Sequence, residues 1–584
     1  MGTSCGTNCY TYTSGTSVTL TATAASGYNF SGWNGSGISC SGTGPCTVSM
    51  TAGRSVSATF AMPGATTGAP AILFSDLDSG PSTGGQDNQG VFVTIWGKNF
   101  GATPGSITVG GGQVASIVSW TQGSGSYAAW SMDKVVFQLG SQAATGNIVL
   151  TNTNGTSNGI PFTVRAGNIY FVTPNGTGNG NYATPMSPSA AYTVMGPGKT
   201  FYFRGGTYNQ GYSPVGGYTD RNYALDQAHG GSAGLPMAMV GYPNETAVFE
   251  ALNASRNNFA FGTGGAPASY VTLANFTLHG GSTCIEDGGF WTNAKSGGVG
   301  SRIIGNVLSA SYGGANTMAG LIMIQNDYWR VLGNEIKDTG TGAPINNNHA
   351  IYNQSGASET EIAWNYFHNL RMGHVIQVHT DNYYTYSNVR IHDNVIAKGT
   401  NGDSRAINVG TANGDSYGSI YNNIMDGVGS NFSAIAIWSG SWKIFNNTMY
   451  NIYTPGSSMV FVTNSAYVNF AAPASWLPAP VVELENNIFY SDGSSPYISL
   501  STSNPAPIVT VNHNLYFNYG AAPSQDTAPR TGNPLFANAA AGDFRLQNSS
   551  PAVNTGIATT VVTIDHDGVG RPQGGVVDVG AYEQ

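Results

Sequence analysis

The second half of the chain repeats one short phrase, an asparagine followed by alternating apolar residues. It occurs at Asn275, Asn306, Asn334, Asn365, Asn394, Asn423, Asn447, Asn487 and Asn514. Subtracting successive numbers gives spacings of 31, 28, 31, 29, 29, 24, 40 and 27. Self-similarity at this period marks a stack of repeats rather than a globule. Six further segments align between the asparagines: TCIED (283–287), GLIMI (320–324), HAIYN (349–353), HVIQV (374–378), RAINV (405–409) and SAIAI (433–437). Their third residue is always isoleucine: Ile285, Ile322, Ile351, Ile376, Ile407 and Ile435. One apolar type returning in register predicts a solenoid interior, each Ile packed on its copies above and below. The asparagines predict an internal ladder, because Asn tolerates left-handed backbone and its amide can bond the Asn one coil away.

The first 165 residues follow a different rhythm. Residues 1–62 read as short strands (SVTLTATA, YNFSGWNG, CTVSM, SVSATF) separated by Gly and Ser clusters. Residues 63–69 are a linker by composition. Residues 70–165 give about seven short strands with turns between them, a sandwich pattern. The register changes again near Gly167, where the coil begins. Helical periodicity is nearly absent, so the fold class is all-β.

Composition sharpens this picture in three ways. Gly is abundant (81 residues), aromatics make up 11% and charged residues only 8%. No Gly-X-Y period appears, so collagen is excluded. The frequent aromatics argue against disorder. The net charge is −9 and no basic patch is visible, which excludes nucleic acid as a partner. No apolar run is long enough to cross a membrane. Four of five cysteines (Cys5, Cys9, Cys40, Cys46) fall in the first 46 residues. Two short-range disulfides in an exported protein are expected there, with a four-Cys zinc site as the alternative. Cys284, beside the Ile column, reads as a packing residue. The opening MGTSCGTNCY is not a signal peptide, and the expectation is a secreted chain from which one was removed.

Several stretches resemble known families. GYNFSGWNGSG followed by SVSATF resembles the internalin-type B repeat, a β-grasp-like module of bacterial surface proteins, which implies a spacer role and attachment at a cell surface. GVFVTIWGKNFG (90–101) is similar to the immunoglobulin-like IPT/TIG family, also a spacer. Asp76 and Asp78 in SDLDSG offer oxygens to a cation. GNIYFVTPNGTGNG and GPGKTFYFRGGTY resemble the opening turns of right-handed parallel β-helix proteins of the pectate-lyase-like superfamily. That resemblance covers 167–584. The tail from about 530, ending DHDGVGRPQGGVVDVGAYE, resembles the closing segment of secreted bacterial β-helix proteins of the choice-of-anchor class. It is expected to cover the open edge of the last coil.

Chemistry in a coil is built from columns, since equivalent residues on neighbouring turns lie about 4.8 Å apart. If the Ile column points inward, one outward column is Glu286, Met323, Tyr352, Gln377, Asn408 and Ala436. Two residues on come Gln325, Gln354, His379, Gly410 and Trp438. Tyr352, Gln354, Gln377, His379, Asn408 and Trp438 form a polar and aromatic set suited to sugar hydroxyls and ring faces. A third column stacks His349, His374 and Arg405. Strict alternation points it inward, whereas a turn at the strand entrance rotates it out. Arg371 and Asp381 lie close by in sequence.

Two reactions fit these residues on a polysaccharide. β-Elimination at a uronic acid needs a base for the proton alpha to the carboxylate and a cation for the resulting charge. His349 or His379 serves as base, with His374 stacked beside them. Tyr352 serves as proton donor to the leaving oxygen, and Arg405 or Arg371 as carboxylate clamp. LRMGH (370–374) resembles the Arg-x-x-His element of alginate- and chondroitin-type β-helix lyases. Those families pair it with a lysine on the preceding turn, where this chain has Gln354 and Ser355. A calcium ion would supply the missing positive charge, with Glu286, Asp287, Asp327 and Asp381 as oxygen ligands. The alternative is glycoside hydrolysis by paired carboxylates drawn from Glu286, Asp287, Asp327 and Asp381. A non-catalytic carbohydrate-binding adhesin or fibre is the third reading.

Overall fold

The computed structural model describes residues 1–584 except 1, 7–8, 25–28, 37, 39, 41–43, 62–67, 124–126, 213–220, 252–256, 263–266, 282, 288–297, 311–319, 340–348, 371–372, 381–383, 398–404, 411–415, 429–432, 455–456, 465–478 and 502–504. Most of the linker therefore lies outside the described residues. Three parallel sheets form the coil, with twelve, twelve and ten strands among the described residues. Sheet A opens with Ile169–Val172, sheet B with Gly206–Tyr208 and sheet C with Tyr223–Leu225. The chain visits A, B and C in turn, and each strand pairs in parallel with the strand one turn later. This is the parallel β-helix that the repeat predicts. Ile285, Ile322, Ile351, Ile376, Ile407 and Ile435 are register partners in sheet C, and all are fully buried.

The corner between sheets A and B is only two residues wide. Its second position carries the ladder. Asn394 Oδ1 accepts from the backbone N–H and the Nδ2 of Asn365, at 3.1 and 3.0 Å. Its own Nδ2 donates to Asn423 Oδ1 and to the carbonyl of Ile362. The same pattern runs from Asn306 to Asn514. Phe276 N–H caps one end by donating to Asn306 Oδ1. Asp526 Oδ2 closes the other, accepting from Asn514 N, Asn514 Nδ2 and Tyr516 OH. Every amide donor and acceptor is used, which makes burying so many polar groups affordable.

Two expectations need correction. Asn275 is not a rung, because Phe276 holds the position equivalent to Asn306. Nor are the ladder asparagines the left-handed residues. That conformation belongs to the residue before each (Gly305, Gly333, Trp364, Asp393, Asn422, Asn446, Asn486 and His513) and to Asn275 before Phe276, with φ between 52 and 64°. A left-handed residue swings the chain through the corner, and the following Asn then points inward to bond its copies.

This outward column also docks the rest of the molecule. The sandwich packs a four-stranded sheet (Ala71–Ser75, Phe92–Lys98, Ser116–Thr121, Asp133–Gln138) against a second sheet built on Ser106–Val109, Gly146–Asn152 and Ile160–Val164. Its Phe74 ring lies between Trp96 and Trp364, with centroids 5.0 and 5.4 Å apart. A side chain at Gly305 would strike Trp96, and one at Gly333 would strike Phe74. Asp76 accepts from Leu77 N, Thr94 N and Asn275 Nδ2. Asp78 pairs with Arg302 at 3.0 Å. The two carboxylates offered for a cation thus fix the sandwich to the coil.

Lower down, the same column holds the tail. Asn422 Nδ2 donates to Ile564 O, Asn446 Nδ2 to Asp578 O, and Asn486 Nδ2 to Ile557 O. The tail continues sheet B at Arg530–Thr531 and then runs back along the corner, rather than only covering the last coil. Sandwich, coil and tail meet where Tyr127 OH donates to Asp426 and Lys98 pairs with Asp567 at 2.9 Å.

In the N-terminal module, Trp33, Cys46 and Val48 make a small core. Cys40 and Cys46 form a disulfide, and Cys9 is also disulfide-bonded. Cys284 is a buried free thiol pushed up to about 12 by burial.

Asn394→Leu removes four buried hydrogen bonds and strands partners on both sides. Each stranded buried group costs about 1–3 kcal/mol, so the expected loss of stability is about 2–5 kcal/mol in urea unfolding. A change below about 1 kcal/mol would contradict the ladder's role.

Candidate active site on the third sheet

Sheet A carries the sandwich, and sheet B carries the tail hairpin through Phe536 and Phe544 against Tyr450. The candidate residues stand on sheet C. Its strands break alternation just after the histidines. Ala350 and Ile351 are both fully buried in the core, as are Ala406 and Ile407, and Val375 and Ile376 on the turn between. Two consecutive inward residues put His349 on the same side as Tyr352. The rings confirm it: the His349 and Tyr352 centroids are 4.9 Å apart. His374, one turn on, stacks parallel to His349 at 5.3 Å with 5° between planes. His349 and His374 thus lie on the Tyr352 side of the strand, and both are buried. Arg405 follows His374 in register, but its side chain, like Arg371 and Asp381, lies outside the described residues.

The neighbouring column runs Glu286, Met323, Tyr352, Gln377, Asn408 and Ala436 in register. It is not an open, solvated face. Gln377 and Asn408 are buried, while Tyr352, Gln354 and Trp438 are half-buried. Asn408 Nδ2 donates to Gln377 Oε1 at 2.7 Å, and Trp438 Nε1 donates to Asn408 Oδ1 at 3.0 Å. These bonds fix three turns against one another and hold the indole edge-on to Phe461. His379 packs over Gly410, where a Cβ would lie 2.5 Å from Nδ1. Gln354 Nε2 is buried with no hydrogen-bond partner among the described residues, a donor available to a ligand oxygen.

The acidic candidates do not converge. Glu286 bonds Asn257 Nδ2 and lies 3.7 Å from Arg221. Asp287 follows Phe261 on the inward side and accepts from Gly298 N and Gln325 N at 2.7 and 3.0 Å. Asp327 accepts from Ser358 N at 2.8 Å. Backbone N–H groups thus occupy oxygens that a cation would need. Among the described residues no group of three His, Cys, Asp or Glu is arranged to hold a metal. Asp381, the fourth acidic candidate, lies outside the described residues. Arg221 and Asn257 are the residues the repeat pattern missed. They arrive from outside the strands, so no register could reveal them.

Comparison with known proteins adds little to the chemistry. Residues 2–63 match the family described as the divergent InlB B-repeat domain, and residues 442–557 match a domain of unknown function, DUF5123. No curated protein matches. Among solved structures, the complex of XylC with xylose shares 12% identity at a TM-score of 0.43, covering 71% of this chain and 98% of that one. Pectate lyase Pel9A shares 16% at 0.35, covering 71% and 96%. The catalytic domain of a GH87 alpha-1,3-glucanase shares 13% at 0.35, covering 81% and 94%. These likenesses carry no argument about activity.

Burial pushes the Asp287 carboxyl up to about 8 against an ordinary value of 3.8, with a smaller push from Glu286, while its N–H partners pull the other way. The folded-state value is the higher one, so the protonated acid favours the fold. That contribution is complete below about pH 4 and is lost as pH rises to about 8. The melting temperature is expected to fall across this window, and Asp287→Asn to flatten the fall. An unchanged slope in the variant would refute the assignment.

Proposed function

We propose that this chain is a secreted polysaccharide-degrading enzyme that cleaves a uronic-acid-containing glycan by β-elimination on the outward side of sheet C. The observation that carries this reading is the His349–Tyr352 ring contact, on the sheet that holds neither the sandwich nor the tail hairpin. It sets an imidazole beside a phenol, the pair of groups that elimination uses.

In the reaction, His349 takes the proton alpha to the uronate carboxylate. The electron pair left on that carbon forms a double bond to its neighbour, and the bond from that neighbour to the glycosidic oxygen breaks. Tyr352 OH protonates the leaving oxygen. His374, stacked parallel behind His349, keeps that ring in place, and His379 stands near as a second base. Arg405, one turn beyond His374, or Arg371, neutralises the substrate carboxylate and the charge that develops on it. Gln354 meets a sugar hydroxyl, and the buried pair Gln377 and Asn408 holds the half-buried Trp438 against a ring face.

Hydrolysis is the weaker reading, because Asp287 and Asp327 accept from backbone N–H groups and Glu286 bonds Asn257. The Cys40–Cys46 disulfide suits an exported chain. The N-terminal module and the sandwich, which we assign to the IPT/TIG type, act as spacers that hold the coil away from a cell surface. The tail is assigned to the choice-of-anchor type.

A panel of purified uronic-acid polysaccharides, followed by ultraviolet absorbance and by new reducing ends, tests the reading. Unsaturated product is expected on at least one polymer. His349→Ala and Tyr352→Phe should each lower turnover by at least about 100-fold with an unchanged melting temperature. New reducing ends without unsaturation would contradict elimination, and full turnover in both variants would remove the site.

A further inference from the structure

A cleft of about 410 Å³ lies where the sandwich meets the early turns of the coil. It opens over sheets A and B, away from the outward side of sheet C. Asp76, Thr94 and Lys134 line it from the sandwich, and Tyr202, Tyr242 and Asn275 line it from the coil. Such a volume sits at the small end of ligand pockets.

Two polar groups in this cleft are left over. The first is the Lys134 ammonium. It stands 5.5 Å over the Trp96 ring, and among the described residues no carboxylate is within ion-pairing distance of it. The nearby acids are committed elsewhere. Asp76 has its oxygens taken by Leu77 N, Thr94 N and Asn275 Nδ2, and burial pushes it towards its neutral form. Glu245 is held by Arg204 and by Gly205 N. Among the described residues Lys134 therefore has no carboxylate within ion-pairing distance, although the charge of Asp76 acts on it from further off. Burial also holds the Lys134 value down, a cost that an incoming anion would relieve.

The second group is Asn275 Oδ1. It is buried with no hydrogen-bond partner among the described residues, because its amide is turned to give Nδ2 to Asp76. A buried acceptor left empty is costly, and a hydroxyl donor satisfies it. Neither group belongs to the amide ladder, to the candidate active site, or to the docking of the tail.

We propose that this cleft binds a small hydroxy-carboxylate of the sugar-acid type. Its carboxylate pairs with Lys134 Nζ, a hydroxyl donates to Asn275 Oδ1, and the Tyr242 ring borders the sugar face. The volume takes a short fragment rather than the middle of a polymer. Because the cleft joins two parts of the molecule, occupancy ties the sandwich more firmly to the coil. The proposal stands independently of elimination at His349.

Isothermal titration of the full chain with D-galacturonate, D-galactose and acetate tests it. Galacturonate should bind saturably and at least about tenfold more tightly than either of the others. Lys134→Met should weaken galacturonate about tenfold or more, while Lys134→Arg retains it. Turnover of polysaccharide should be unchanged in both variants, which separates this cleft from sheet C. Ligand-free melting curves establish that each variant is folded. Absence of saturable galacturonate binding to the unaltered chain would overturn the proposal. So would equal affinity in a folded Lys134→Met variant, or galactose or acetate binding as well as galacturonate.

Discussion

The structure depends on a two-residue corner repeated along the coil. From Asn334 to Asn487 a left-handed residue is followed by an asparagine whose amide bonds the asparagines before and after it. A slip by one residue would turn every rung outward and strand its donors in an apolar core. The ladder therefore fixes register between sheets A and B more strictly than apolar packing alone does. The Ile column in sheet C inherits that register, which is why residues some thirty positions apart become contacts.

The left-handed residues give the same corner an outer surface with two uses. Where aromatic rings of the sandwich press on it, Gly305 and Gly333 have no side chain to obstruct Trp96 and Phe74, and Trp364 stacks on Phe74. Where the tail passes, the left-handed residues are Asn422, Asn446 and Asn486, whose amides donate to its backbone carbonyls. One column thus decides which face receives which appendage. With the sandwich on sheet A and the tail hairpin on sheet B, sheet C is left to the histidines, the tyrosine and the amide ladder of Gln377 and Asn408.

Much of this was legible in the sequence because repetition makes packing visible. The Ile column and the asparagine phrase led directly to a parallel coil. The error at Asn275 has a physical origin. In NF at 275–276 the Asn holds the left-handed place and Phe276 the rung, whereas in GN at 305–306 the order of roles is the same but the Asn is the rung. The inward pair Ala350–Ile351 was not legible either, since apolar residues at both positions leave the direction of His349 undecided. Nor could spacing show that Asp287 and Asp327 are spent on backbone N–H groups. Such bonds depend on how a turn closes, not on the period of the strands.

Hydrogen exchange of backbone amides on the full chain bears most directly on the corner as the organising constraint. The N–H groups of Asn334, Asn365, Asn394, Asn423 and Asn447, each donated to the next asparagine, should be among the slowest in the molecule and should open together. Exchange at those positions as fast as at the exposed strand ends of the sandwich would contradict the account.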